Sequence, residues 1–199
     1  MIYIIDYGMG NLRSIGKAFE YLGERVKYVD SVFSLKKADR IILPGVGSFG
    51  KAVSNLKKKG LWAPLKEKIL IKKVPFLGIC LGLQLLFEKS MESPSCKGLS
   101  IFKGILRKFK KNMIVPHMGW NRVNFIRRNE NLFKGIEDGS FFYFCHSYYA
   151  PLTSFTVGTT LYGVEFSSII VKENIVLVQF HPEKSQKTGL KILRNFLKR

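Results

Sequence analysis

Through residues 1–90, short and almost wholly apolar runs alternate with stretches whose apolar residues recur every three to four positions. Ile2 to Tyr7, Arg25 to Val29, Arg40 to Leu43 and Val74 to Ile79 read as strands. Near-continuous apolar runs of this length suit strands covered on both faces, as in a parallel sheet. Leu12, Ile15, Phe19 and Leu22 lie at helical spacing behind Asn11, a good N-cap, and Gly23 closes that helix. Ser31 to Lys37 reads as a short helical or irregular piece, and further helices run about Lys51 to Lys59 and Leu61 to Lys72. This alternation predicts an open, mostly parallel α/β sheet with helices on both faces. After Gly98 the runs shorten to Leu99–Phe102, Ile105–Phe109, Arg122–Ile126, Phe141–Cys145, Phe155–Leu161, Val164–Val171 and Ile175–Phe180. They predict an added, partly antiparallel layer within one domain spanning residues 1–199. Gly119-Trp120 and Glu137 to Gly139 mark turns, and Thr188 to Lys198 reads as a closing helix.

Composition narrows the class. With 46% apolar residues in 199, the chain has enough material for a real core and is globular, not disordered. No apolar run reaches the roughly 20 residues of a membrane span, and Met1 to Asp6 reads as a strand and not as a signal peptide. Cys80, Cys96 and Cys145 are odd in number, widely spaced and without a zinc-site pattern. They suit free thiols in a reducing cytoplasm, with no metal or cofactor. The charge stands apart: 33 Lys and Arg against 14 Asp and Glu give +19. The basic residues are scattered, with small clusters at Lys57 to Lys59, Arg107 to Lys111 and Arg127-Arg128, and no aromatic stacking array accompanies them. A solvated lysine-rich surface, without specific nucleic-acid binding, is the reading that follows.

Candidate chemistry centres on Gly78-Ile79-Cys80-Leu81-Gly82, between the fourth strand and an apolar-periodic stretch that includes Leu85 and Leu86. A cysteine in G-x-C-x-G at a strand-to-helix turn is the thiol form of the nucleophile elbow. Glycines permit a tight, strained turn, and the helix N-terminus favours thiolate over thiol. A nucleophilic cysteine needs a base and an orienting group. His181 follows an apolar strand, and Pro182 biases it to extended backbone, which sends Glu183 out on the same face. His117 and His146 have no such local carboxylate. The backbone N–H of Leu81 and the glycine loop Pro44 to Gly50 supply candidate oxyanion donors. These parts describe a cysteine hydrolase acting on an amide, and a stand-alone hydrolase fits them.

P-G-V-G-S-F-G (44–50), G-I-C-L-G-L-Q-L-L (78–86), P-H-M-G-W-N (116–121), H-S-Y (146–148) and H-P-E-K-S (181–185) occur in that order. The set resembles the class I glutamine amidotransferases, and among them the family of glutaminase subunits of imidazole glycerol phosphate synthase. The resemblance covers essentially the whole chain. It implies a flavodoxin-like open sheet and hydrolysis of glutamine to glutamate and ammonia. The ammonia would pass to a separate (β/α)8-barrel cyclase subunit, the partner in a heterodimer, for histidine biosynthesis. By motif position the resemblance makes Cys80, His181 and Glu183 the triad, with Gly45, Val46 and Gly47 as the oxyanion loop. Gln84, Glu92 and the Ser147-Tyr148 backbone would hold glutamine, while Asn11, Trp120 and Lys184 would meet the cyclase. The ammonia acceptor belongs to the partner, so a sugar amidotransferase in that role stays open on motifs alone. The charge would then speed association with an acidic face of the partner, or simply reflect a lysine-rich proteome.

Overall fold

The structure is a computed structural model and describes residues 1–110, 112–126 and 131–199. Lys111, Arg127 and Arg128, part of the basic clusters noted above, lie outside the described residues. The chain runs β1 (Ile2–Ile5), α1 (Leu12–Tyr21), β2 (Val26–Val29), α2 (Val32–Lys36), β3 (Ile41–Leu43), α3 (Phe49–Lys58), α4 (Trp62–Leu70), β4 (Phe76–Ile79) and α5 (Leu81–Gln84). It continues as β5 (Phe87–Ser90), β6 (Phe102–Lys108), β7 (His117–Phe125), β8 (Ser140–His146), β9 (Tyr148–Tyr149), β10 (Thr156–Leu161), β11 (Glu165–Lys172) and β12 (Ile175–Val178). A 3₁₀ turn over Pro182–Lys184 leads into α6 (Gln186–Phe196).

One nine-stranded sheet carries the molecule, in the order β2-β1-β3-β4-β12-β11-β10-β7-β8. Strands β2, β1, β3, β4 and β12 are parallel, and the remaining strands join antiparallel. The period of two along each strand separates two cores. On β1, Tyr3 and Ile5 pack with Leu56, Leu65 and Ile69 from α3 and α4. Ile2 and Ile4 pack on the other face with Ile15 and Phe19 of α1 and Ile192 and Phe196 of α6. Both faces being covered explains why β1, β3, β4 and β12 are wholly buried and read as continuous apolar runs.

Three expectations are corrected in detail. The later strands mostly extend the same sheet instead of forming a layer, and only β5, β6 and β9 make a separate small one. Gly119 and Trp120 lie inside β7, where Gly119 adopts φ +133° and still pairs with Phe144. The stretch after Cys80 is only a four-residue helix, because the chain turns at Leu85 into β5. So short a helix lends little macrodipole to the cysteine, and the electrostatic help has to come from side chains.

The bend at Cys80 is built by close approach. Cys80 takes φ +54° and ψ −106°, a conformation L-residues rarely adopt. A Cβ on Gly82 would lie 1.9 Å from the Leu43 carbonyl oxygen, and one on Gly78 would lie 2.9 Å from the Gly82 oxygen. The missing side chains therefore let α5 sit directly on β3 and β4. Gly82→Ala is expected to destabilise the protein by ~3 kcal/mol or more, as overpacking against backbone does. Gly23→Ala, at φ +86° but in open space, should cost only ~1 kcal/mol. Equilibrium urea unfolding of the two variants checks the contrast.

Candidate active site

The glycine loop, the elbow and His181 meet because β3, β4 and β12 are adjacent parallel strands, whose carboxyl ends lie on one edge of the sheet. The Cys80 N–H donates to the Val178 oxygen at 2.8 Å, which fixes the elbow against the end of β12. His181 is buried and lies close enough to the Cys80 sulfur for the two to interact. Its Nδ1 is 2.8 Å from Glu183 Oε1, which leaves Nε2 for the sulfur. Extended backbone, the expected basis for that pairing, holds at His181 (φ −99°, ψ 98°) but not beyond it. Glu183 is brought back to the imidazole by the 3₁₀ turn that starts at Pro182. Ser185 Oγ donates to the His181 carbonyl at 2.6 Å and closes that turn.

The electrostatics favour a protonated imidazole at His181. Burial works against a proton on His181, but the Cys80 sulfur and Glu183 overcome it and hold the imidazole up at about 10. The Glu183 side chain is 1% exposed, and its second oxygen finds no partner among the described residues. The carboxylate therefore serves the imidazole alone.

A cavity of about 220 Å³ opens at the sulfur, lined by Val46, Gly47, Leu81, Gln84, Glu92, Ser147 and Tyr148. It is smaller than the roughly 300–1,000 Å³ of drug-sized ligand sites and suits a small metabolite. A larger open depression of about 930 Å³ lies away from the cysteine, between Trp120 and the start of α6. The glycine loop is held tightly at one end. Tyr7 Oη donates to the Pro44 oxygen at 2.8 Å, and a Cβ on Gly45 would meet that hydroxyl at 2.4 Å and Leu81 Cβ at 2.8 Å. Gly47 adopts φ +101°, so the loop turns where only glycine is at ease. Leu81 begins α5, and the first N–H of a helix has no acceptor within it. Glu92 Oε2 accepts the Phe49 N–H at 2.7 Å, capping α3 where Ser48 provides no side-chain bond, and its other oxygen is left for the cavity.

The three residues expected at a partner surface divide into two places. Trp120 is 46% exposed and lies edge-on to the Tyr143 ring at 6.1 Å, while Lys184 Nζ sits 5.6 Å over the same ring. These form one exposed patch. Asn11 caps α1 by accepting the Ser14 N–H at 3.3 Å, and α1 packs against the turn that carries Lys184.

The structure also gives His117 and His146 a role that no nearby carboxylate signalled. His146 Nδ1 lies 2.9 Å from the Tyr148 oxygen, which can only accept, so Nδ1 carries the proton. Its Nε2 must then accept from His117 Nδ1 at 3.0 Å, and His117 Nε2 accepts from Asn121 Nδ2 at 3.2 Å. Tyr148 O also accepts from Gln84 Nε2 at 2.9 Å. Both imidazoles are neutral in a single tautomer and pin the Tyr148 loop. The pair arises from strand register, which left no signal in the sequence: both histidines sit at matching ends of β7 and β8, where they are directly paired.

Set beside known proteins, a model of the glutamine amidotransferase class-I family matches residues 3–199. Fold comparison agrees: a crystal structure of a glutamine amidotransferase superposes with a TM-score of 0.78 at 15% identity, covering 100% of this chain and 98% of that one. PurLQS from Thermotoga maritima gives 0.76 at 18%, covering 99% and 97%. Among curated relatives, imidazole glycerol phosphate synthase subunit HisH of Methanocaldococcus jannaschii is 53% identical over 99% of this chain and 98% of its own length. The HisH 1 subunit of Campylobacter jejuni is 44% identical over 100% of both. The chain therefore belongs to the class I glutamine amidotransferases and, within them, to the family of imidazole glycerol phosphate synthase HisH subunits.

The buried histidine pair makes stability depend on acid. Burial pushes His117 down to about 4 and, with the nearby His117 and His181 as secondary causes, His146 down to about 3. An unfolded imidazole takes up its proton near 6.5, so below that pH the unfolded state binds more protons and stability falls. The loss runs from about pH 6.5 down to the folded values, at up to ~1.4 kcal/mol per pH unit for each histidine. His181, raised to about 10, keeps its proton in the fold, so it opposes the fall only near pH 6.5 and above, where the unfolded imidazole is still partly neutral, and adds nothing to the slope further down. Urea midpoints measured from pH 7 to 4 should drop steeply in the wild type and less steeply in His117→Gln.

Proposed function

We propose that this glutamine amidotransferase is the glutaminase subunit of an imidazole glycerol phosphate synthase, with Cys80, His181 and Glu183 as its catalytic triad. The observation that carries the reading is the buried His181, bonded to Glu183 through Nδ1 and set beside the Cys80 sulfur. The attacking species is the Cys80 thiolate, with the His181 imidazolium beside it. The thiolate attacks the side-chain carbonyl carbon of glutamine and forms a C–S bond. The resulting oxyanion is met by the Leu81 N–H and by an N–H of the Gly45-Val46-Gly47 loop. His181 gives its proton to the departing nitrogen, the C–N bond breaks, and ammonia leaves a thioester on Cys80. His181, now neutral, takes a proton from water as that water attacks the thioester, and glutamate and thiolate are released.

Binding follows the same cavity. Gln84 uses its amide N–H groups on Tyr148 O and Gln179 Oε1, so its own Oε1 is the atom left to accept from the glutamine α-amino group. Glu92 offers its remaining oxygen to the same ammonium, and the Ser147-Tyr148 backbone meets the α-carboxylate. Neutral ammonia is the useful product and would be protonated in water, so it needs a closed route to the cyclase subunit. Asn11, Trp120 and Lys184 are assigned to that interface, at the edge of the sheet where the cysteine lies.

The chain acts as one domain in the cytoplasm on this reading, where three unpaired cysteines would remain reduced. Among the described residues no helix is long and apolar enough to cross a membrane. Mixed with its cyclase partner and that partner's substrate, Cys80→Ala should lose glutamine hydrolysis by as much as ~10⁶-fold. Cys96→Ala should keep it. Release of glutamate measured by a coupled assay decides the matter, and an active Cys80→Ala variant sinks the triad assignment.

A further inference from the structure

Gln179 is fully buried, and its Nε2 lies 3.6 Å from the Cys80 sulfur, a hydrogen-bond distance for so large an acceptor. It follows β12 directly, and its N–H continues the sheet ladder to the Ser168 oxygen at 2.9 Å. His181 stands two residues on. The chain bends at Gln179 and Phe180 as it leaves β12, and both side chains reach the cysteine at the end of the neighbouring parallel strand. The two contacts with the sulfur therefore have one structural origin.

The amide cannot present its other end without cost. Gln84 Nε2 donates to Gln179 Oε1 at 3.4 Å, and Gln84 is anchored in turn on Tyr148 O at 2.9 Å. Flipping Gln179 would set NH₂ against NH₂ on one side and oxygen against sulfur on the other. We propose, resting on the assignment of Cys80 as nucleophile, that Gln179 is a catalytic residue that donates a neutral N–H to the Cys80 thiolate.

Its effect is differential. As a thiol, the sulfur can donate to the Cys145 oxygen at 3.8 Å and is only a weak acceptor for the amide. As a thiolate, it makes a charge-assisted bond with Gln179 in a water-poor setting, where such bonds are strongest. The donor therefore favours the anion that attacks, and again the anion that leaves when the thioester is hydrolysed. Being an amide, it holds the charge without offering a proton in place of His181. A second cation at this point would compete with the imidazolium.

The test is the alkylation of Cys80 by iodoacetamide on the full chain, followed by mass spectrometry of the Cys80 peptide so that Cys96 and Cys145 do not contribute. Gln179→Met keeps the shape and removes the donor. Its Cys80 should react about tenfold more slowly near pH 7, the size expected for a hydrogen bond to a charged group. The gap should close by about pH 11, where thiols ionise unaided. Gln179→Asn keeps an amide but is one carbon too short to reach the sulfur, and it should show the same pH-dependent loss, which covers the case in which Met is not tolerated. Wild-type rates at pH 7, or slowing by one constant factor at every pH, would overturn the proposal, since a packing defect changes access and not charge. If Cys80→Ala is inactive and the alkylation ratio is flat, only the role of Gln179 falls. If Cys80→Ala stays active, the nucleophile assignment falls and takes this role with it.

Discussion

Everything in the site depends on holding one L-residue at φ +54° between a buried strand and a four-residue helix. That bend is unfavourable in isolation, and it persists because the surroundings leave no other path. The Leu43 oxygen occupies the space that a Gly82 side chain would need, and Cys80 is tied by its own N–H to the end of β12. The bend lifts the sulfur clear of the sheet. It also places it where the neighbouring parallel strand delivers its last side chains, which is what makes a single cysteine into a site.

Adjacency in the sheet does the rest. Strand β12 follows β4 in the sheet although nearly a hundred residues separate them in the chain, and it brings a donor and an acid–base group on alternate positions. Fixed hydrogen-bond directions then propagate outward. A backbone carbonyl can only accept, so the Tyr148 oxygen dictates the tautomer of His146, and His146 dictates that of His117. The same oxygen orients Gln84, which orients Gln179. No charged group is needed along this chain, and every amide and imidazole in it has one permitted orientation.

The sequence made some of this plain and hid the rest for identifiable reasons. Strands β1, β3 and β4 were legible because a strand buried on both faces is apolar throughout, and the elbow was legible because its glycines and cysteine fall within five residues. His181 and Glu183 were legible as neighbours, although a 3₁₀ turn and not extended backbone unites them. The brevity of α5 was hidden, since Leu85 and Leu86 keep a helical spacing while they pack as the lead into β5. Gly119 and Trp120 looked like a turn because glycine is a weak strand former, yet the β7–β8 ladder runs through both. The His117–His146 pair was hidden most deeply. It exists only through the register between β7 and β8, and no local spacing encodes register.

The neutrality of that pair has a consequence for the catalytic charge. His146 lies near enough to His181 that the imidazolium there helps keep it unprotonated, in addition to the larger effect of burial. The site thus confines its mobile proton to one imidazole. If His146 or His117 could also hold a proton at neutral pH, the sulfur would face competing cations, and Nδ1 and Nε2 would both become donors. His146 Nε2 would then have no acceptor, since His117 Nδ1 already points at it, and the bond that joins the two imidazoles would be lost. Burial beside Phe109, Phe144 and Phe166 prevents this. The aromatic core behind the cavity therefore acts on the chemistry as well as on stability, because it leaves His181 as the one imidazole of the chain that is charged near neutral pH.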